Sequence, residues 1–232
     1  LLCVPFYLNL IVSGGFVEEN INDENNFRNL IWERIICLKD KCKKYGVLQS
    51  DVRNTVERIV FERASRFVVG VDSDIVDSDI LEALKSEEII VESRNKIRLK
   101  YDIFEDICFE RYIDKAFDVC HGSYNVFFDE IEKIGRCIYR RYQIWISNKL
   151  FVQEAREKFV YTLLTDNSIE AKWKKQTEIG IVKSKYCGLF FKEFQELLDE
   201  TVVEELLDIT NLYAFEAKIN HSPALIMNVT PI

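Results

Sequence analysis

Three prolines and eight glycines in 232 residues leave this chain few places where a helix must break. Such a composition suits long helices better than a sandwich of short strands joined by glycine- and proline-rich turns. Histidine is scarcer still. His121 and His221 are the only two, too few for a histidine-rich metal site. The sequence has no glycine-rich phosphate loop ending in Gly-Lys-Ser/Thr and no G-x-G-x-x-G turn. No Ser-His-Asp or Cys-His arrangement stands out. The acidic pairs Asp129-Glu130 and Glu204-Glu205 are sequence neighbours, which diverge on a helix instead of converging on a substrate. Taken alone, the chain reads as non-catalytic, with no metal site.

Positive charge is also in short supply. A net charge of -8 gives no electrostatic pull toward nucleic acid or anionic lipid. The apolar run at residues 1–12 contains Pro5, lacks a basic flank and is shorter than the ~20 residues that span a bilayer, so it does not read as a signal peptide core or a membrane span. What the chain does have is 48% hydrophobic and 30% charged residues, ordinary for a globular protein with a real core. Its seven cysteines (Cys3, Cys37, Cys42, Cys108, Cys120, Cys137, Cys187) are odd in number and never in C-x-x-C spacing. They read as reduced core thiols of a cytoplasmic protein. In that compartment the glycosylation pattern Asn228-Val229-Thr230 carries no meaning. The chain opens on Leu1 and its one methionine is Met227, so it reads as an internal piece of something longer.

Apolar periodicity predicts a short buried helix over residues 1–13 and a second helix over 27–43, with Phe27, Leu30, Ile31, Ile35 and Leu38 at three- and four-residue spacing. Ser50 is a good cap for a third helix ending near 69, and Asp77 or Ser78 for a compact one carrying Ile80, Leu81 and Leu84. The period then changes. Ile89-Ile90-Val91 and the alternating Ile97-Arg98-Leu99-Lys100-Tyr101 read as two strands of a hairpin, turned at Ser93-Arg94-Asn95-Lys96 with Asn95 suited to a left-handed conformation. Asp102 is placed to cap the next helix. Beyond Ser123 helices are expected over 124–148, 151–164, 169–183, 188–200 and 201–218, joined by short connections as in a bundle or the start of a solenoid. The fold class expected is mainly α: a winged-helix-like domain with a two-stranded β-hairpin, followed by an α-helical bundle or solenoid start. The domains expected are a helical lid segment (1–46), a winged-helix-like domain (47–120) and an α-helical region (121–232).

The helix at 77–88 stands where a DNA-reading winged helix places its recognition helix. It reads Asp77-Ser78-Asp79-Ile80-Leu81-Glu82-Ala83-Leu84-Lys85-Ser86-Glu87-Glu88, with a single base. A phosphate backbone would repel it. Farther on, Arg136, Arg140 and Arg141 are interleaved with Tyr139, Tyr142 and Trp145, a pattern that serves either a phosphate or nucleic-acid surface or a solvated and inter-helix face.

Three stretches, in this order, resemble the part of a STAND-class signalling ATPase (AP-ATPase and NACHT relatives) that follows the nucleotide-binding core. Leu1-Leu2-Cys3-Val4-Pro5-Phe6-Tyr7-Leu8 is similar to the leucine-rich lid segment with its fixed proline. Residues 81–91 followed by 96–101 are similar to the winged-helix hairpin. Lys100-Tyr101-Asp102-Ile103-Phe104-Glu105-Asp106 resembles the junction into the next helix, where the family usually has a histidine before the aspartate. The resemblance implies that Pro5 lies against adenine. It also implies that Tyr101 stands where a histidine contacts the β-phosphate of ADP, a departure from the pattern. Read from the residues alone, Pro5 is equally a helix-start or kink proline, and Tyr101 a boundary aromatic.

The resemblance further implies that ATP or ADP is held through an upstream domain and none by this chain alone. The partners implied are the rest of its own chain, further copies on activation, and proteins docking on the C-terminal helices. Two other readings stay open. One is a winged-helix transcription regulator with a helical partner domain, which the acidic helix argues against. The other is a helical protein-binding scaffold.

Overall fold

The computed structural model describes residues 24–194, 196–198 and 200–219. Pro5 and the expected helix at 1–13 lie outside the described residues. The architecture is mainly α with one small antiparallel sheet. It divides into two compact units, Leu1–Arg111 and Tyr112–Ile232.

In the first unit, α1 (Glu24–Leu30) runs into a π-helical turn, Ile31–Ile36. The helix expected over 27–43 does not continue. Cys37 N–H donates to the Trp32 carbonyl at 2.8 Å and Lys39 N–H to that of Glu33 at 3.1 Å, while Leu38 takes a left-handed φ of 51°. The reason lies in the pattern: Phe27, Ile31, Trp32, Ile36, Cys37 and Leu38 are all buried. On a regular helix they would point all round the axis, so the widened turn and the left-handed residue bring them to one core. A short α2 (Cys42–Tyr45) then ends at Gly46, whose φ of 68° costs glycine nothing.

The long α3 (Gln49–Ser65) buries Val52, Val56, Ile59 and Val60 on one face. It begins before Ser50, whose hydroxyl bonds the adjacent Asp51 carboxylate at 3.1 Å instead of capping. A two-residue strand β1 (Val71–Asp72) and a 3-10 turn (Ser73–Ile75) lead to α4 (Ser78–Ser86). Asp77 caps α4, its Oδ1 accepting from Asp79 N–H at 3.0 Å and Ile80 N–H at 3.4 Å. The hairpin is β2 (Ile90–Ser93) and β3 (Lys96–Leu99), paired Ile90 to Leu99 through Ser93 to Lys96. Both turn residues, Arg94 and Asn95, are left-handed at 52° and 60°, which matches the twist of a two-residue hairpin. The expected two-stranded hairpin gains a third strand. β1 lies against β3, pairing Val71 with Ile97 and Asp72 with Lys96, in the order β1-β3-β2. Helix, strand, turn, helix and hairpin in this order make a winged helix. The next helix, α5 (Asp102–Val119), has Asp102 as its first residue, one position inside the expected cap.

The second unit is helical throughout its described residues. The single helix expected over 124–148 is two, α6 (Tyr124–Glu132) and α7 (Ile138–Lys149), separated at Gly135 with a φ of 89°. Next come α8 (Gln153–Ala155), a π-helical turn (Arg156–Val160) and α9 (Tyr161–Thr165), followed by α10 (Ala171–Lys183), α11 (Cys187–Phe194) and α12 (Glu200–Ile219). The core is aromatic. Phe127, Phe128, Tyr142, Trp145, Phe159 and Trp173 are buried together, and Phe128 stacks on Trp173 at 4.6 Å. The phenol of Tyr142 shares a 2.7 Å hydrogen bond with the Thr177 hydroxyl, which satisfies two polar groups that would otherwise cost stability in this core. Arg156 is buried and fully engaged. It grips Glu193 with Nε at 2.7 Å and Nη2 at 2.5 Å, and donates to the carbonyls of Leu150 and Phe151.

Six of the cysteines are described, and none of the six is in a disulfide. Burial pushes the Cys37 thiol up to about 12, against the opposing pull of Arg53, and holds Cys108 well above its ordinary value. Both are inert core groups at neutral pH. Among the described residues no helix is long and apolar enough to cross a membrane.

Candidate functional site

Two surfaces of the winged helix bear on function: the outer face of α4 and the corner where β3 meets α5. On α4, Ile80, Ala83 and Leu84 turn inward. Asp79, Glu82 and Lys85 are left outside. The one base there, Lys85, is paired with Glu92 of β2. At the end of α4, Glu87 accepts from Lys41 Nζ at 2.5 Å, the Tyr45 hydroxyl at 2.7 Å and Lys44 Nζ at 3.2 Å. Burial alone would raise this carboxyl. The three donors outweigh it and hold it down at about 2. The charges of α4 are thus committed to its own unit, and what remains on the surface is acidic.

At the corner, Tyr101 follows β3 and precedes α5. It is 36% exposed. Its ring meets Phe104 edge-on at 5.3 Å, and its carbonyl accepts from Phe104 N–H at 3.0 Å as α5 begins. Lys100 is the residue that sequence reasoning passed over. Its backbone N–H ties the corner to the Ile89 carbonyl at 2.8 Å, while its ammonium pairs with Glu88 and sits 5.3 Å from the Tyr101 ring centroid. The ammonium is raised above its ordinary value, first by the hydrogen bond it donates to Glu88 and further by one it donates to the Tyr101 oxygen. A phenol and a cation therefore stand side by side on a partly open surface. The family resemblance marked Tyr101, whereas the alternation expected through residues 97–101 puts Lys100 on the opposite face; both residues lie beyond β3, where the chain turns into α5. Pro5, the other residue implied by the family resemblance, lies outside the described residues.

The basic run of α7 does not make a stacking platform. Tyr142 and Trp145 are buried in the aromatic core, and Tyr139 meets Trp173 edge-on at 5.2 Å. Arg136 and Arg140 are exposed without the aromatic faces a nucleobase needs.

No family model matches this sequence. Among curated proteins it is similar to leucine–tRNA ligase 1 of Sulfurisphaera tokodaii, 32% identical over 97 residues. That stretch is 41% of this chain and 10% of the ligase, so the chain spans about a tenth of its relative's length.

Proposed function

We propose that this chain is a regulatory segment of a STAND-type nucleotide-dependent switch, in which lid and winged helix bias the closed, nucleotide-holding state of an upstream ATPase domain. The observation that carries this reading is the winged helix itself: its α4 has an acidic outer face, and its charged groups are paired within the unit. Such a module is suited to packing against protein and unsuited to a phosphate backbone. A switch of this kind needs an element with two arrangements and a nucleotide that favours one of them. Tyr101 and Lys100 are the residues we assign to sensing that nucleotide. A neutral phenol makes a weaker bond to phosphate than a protonated histidine would, and the neighbouring ammonium supplies the missing charge by exchanging Glu88 for the phosphate.

ADP affinity of the full-length parent chain, read by calorimetry beside the melting temperature, tests this. Tyr101→Phe should weaken ADP several-fold and Lys100→Met more, with little change in melting, while Tyr101→His should tighten it. Unchanged affinity in both loss variants, or a parent chain without a phosphate-binding loop, overturns the reading. The partial likeness to leucine–tRNA ligase 1 favours a second reading, a helical piece of an enzyme acting on tRNA, which binding of tRNA would support.

A further inference from the structure

In the second unit, α10 packs against both α7 and α12. Toward α10, α12 buries Val202, Leu206 and Ile209, one side of a helix at successive turns. Into this apolar seam α10 places a carboxyl. Glu178 is 1% exposed, and its Oε2 is shut off from solvent with no hydrogen-bond donor. The cation nearest in sequence, Lys175 of α10 itself, stands 3.4 Å from that oxygen and is half exposed. From α12 the exposed Glu205 brings a second carboxyl beside Glu178. Ionised carboxylates are acceptors only, so a buried carboxylate oxygen with no donor, next to a second carboxyl, is relieved by a proton.

We propose that α12 is held on α10 by a proton-operated latch: one proton shared by Glu178 and Glu205 closes the seam, and its loss opens it. With the proton present, the Glu178 hydroxyl donates to Glu205, and the pair carries one charge, faced by Lys175. With the proton gone, two like charges meet beside Val202 and Leu206, and one half-exposed lysine does not balance them. From α7 the groups turned toward α10 include Tyr142, which meets Thr177, Ile146, which meets Gly180, and the uncharged Gln143, which meets Gln176 and Lys183. Burial holds the Tyr142 phenol above its ordinary value, so it stays neutral through this range. Burial first, and Glu205 second, push the Glu178 carboxyl up to about 7, while Lys175 pulls the other way. The latch therefore works near neutrality. The sign follows from linkage. The folded state holds a proton that the unfolded state has already released, so docking of α12 weakens as pH rises from the ordinary carboxylate range toward 7.

The test uses the whole chain between about pH 5.5 and 8.5. One signal is the carboxyl carbon shift of Glu178. The other is hydrogen exchange of the α12 amides, corrected for intrinsic rate and referred to α7. Glu178 should titrate near neutrality, and α12 should lose at least about tenfold protection across the same midpoint, the change one pKa unit commands. Glu178→Gln, whose amide donates permanently to Glu205, should keep α12 protected at every pH. Should that variant fail to fold, Glu205→Gln at the exposed member removes the second charge, and the midpoint of the pH dependence must fall toward the ordinary carboxylate range, with burial alone left to raise it. Three results overturn the latch: an ordinary carboxylate midpoint for Glu178, a neutral midpoint with α12 protection unmoved, or the same pH dependence persisting in the glutamine variant.

Discussion

Gly180 is the residue at which α7 and α10 come closest. A Cβ built there would lie 2.0 Å from Cγ2 of Ile146 and 3.0 Å from the Gln143 carbonyl oxygen. Ile146 is fully buried and branched at Cβ, so it has little freedom to withdraw. Gly180→Ala gains about 1 kcal/mol of helix propensity, yet overpacking of this kind costs about 1–3 kcal/mol or more, and at 2.0 Å the clash wins. We expect a lower urea midpoint with an unchanged slope; a midpoint equal to or above that of the parent chain would show that the helices can part freely. Nothing in the sequence sets Gly180 apart from any other mid-helix glycine, because its role depends on a residue 34 positions away in a different helix. Tyr101 was singled out by the family resemblance; the strand alternation placed it only as a boundary aromatic. The neighbouring ammonium of Lys100 was not legible, because period two places the two side chains on opposite faces until the chain turns into α5.

At the scale of elements, Glu87 joins the end of α4 to α2 through Lys41, Lys44 and Tyr45. Its carboxyl lies at about 2 in the fold, below its ordinary 4.5. The stabilisation is therefore complete above pH 4.5 and is lost as pH falls through that value toward 2. The partner lysines are half or more exposed and solvent-screened, so the contribution is on the order of 1 kcal/mol. Glu87→Gln should lower stability by about that much at neutral pH, and the gap from the parent should close as pH is lowered toward 2. Urea unfolding at a series of pH values reads this directly, and a constant gap would place the effect in packing. The acidic character of α4 was legible in the sequence. The clamp was not, since the break at Cys37 and Leu38 that swings α2 into place follows from which side chains share a core.

For the whole molecule, the net charge of -8 and the acidic face of α4 set the expectation for nucleic acid. Duplex DNA and tRNA should bind negligibly at physiological salt, because the described residues offer neither a cationic surface that gains from counterion release nor an aromatic platform on which bases stack. Fluorescence anisotropy with labelled duplex and tRNA measures both. Sub-micromolar binding of duplex would favour the transcription-regulator reading, and of tRNA the ligase reading.

Composition and periodicity alone determined that this chain is mainly helical, that the period shifts to two around residues 89–101, and that a hairpin and an acidic helix stand in winged-helix order, because these properties are local and repeat along the chain. The rest was decided by tertiary structure. The strand β1 is two residues long and exists only because β3 offers it partners. The π-helical turns, the break at Gly135 and the left-handed Leu38 reconcile apolar residues that no single helix could bring to one core. The meeting of Glu178 with Glu205 likewise needed two helices to pack. In sequence both are ordinary helical glutamates, and only burial, with another carboxyl beside it, raises Glu178 to a group that titrates near neutrality.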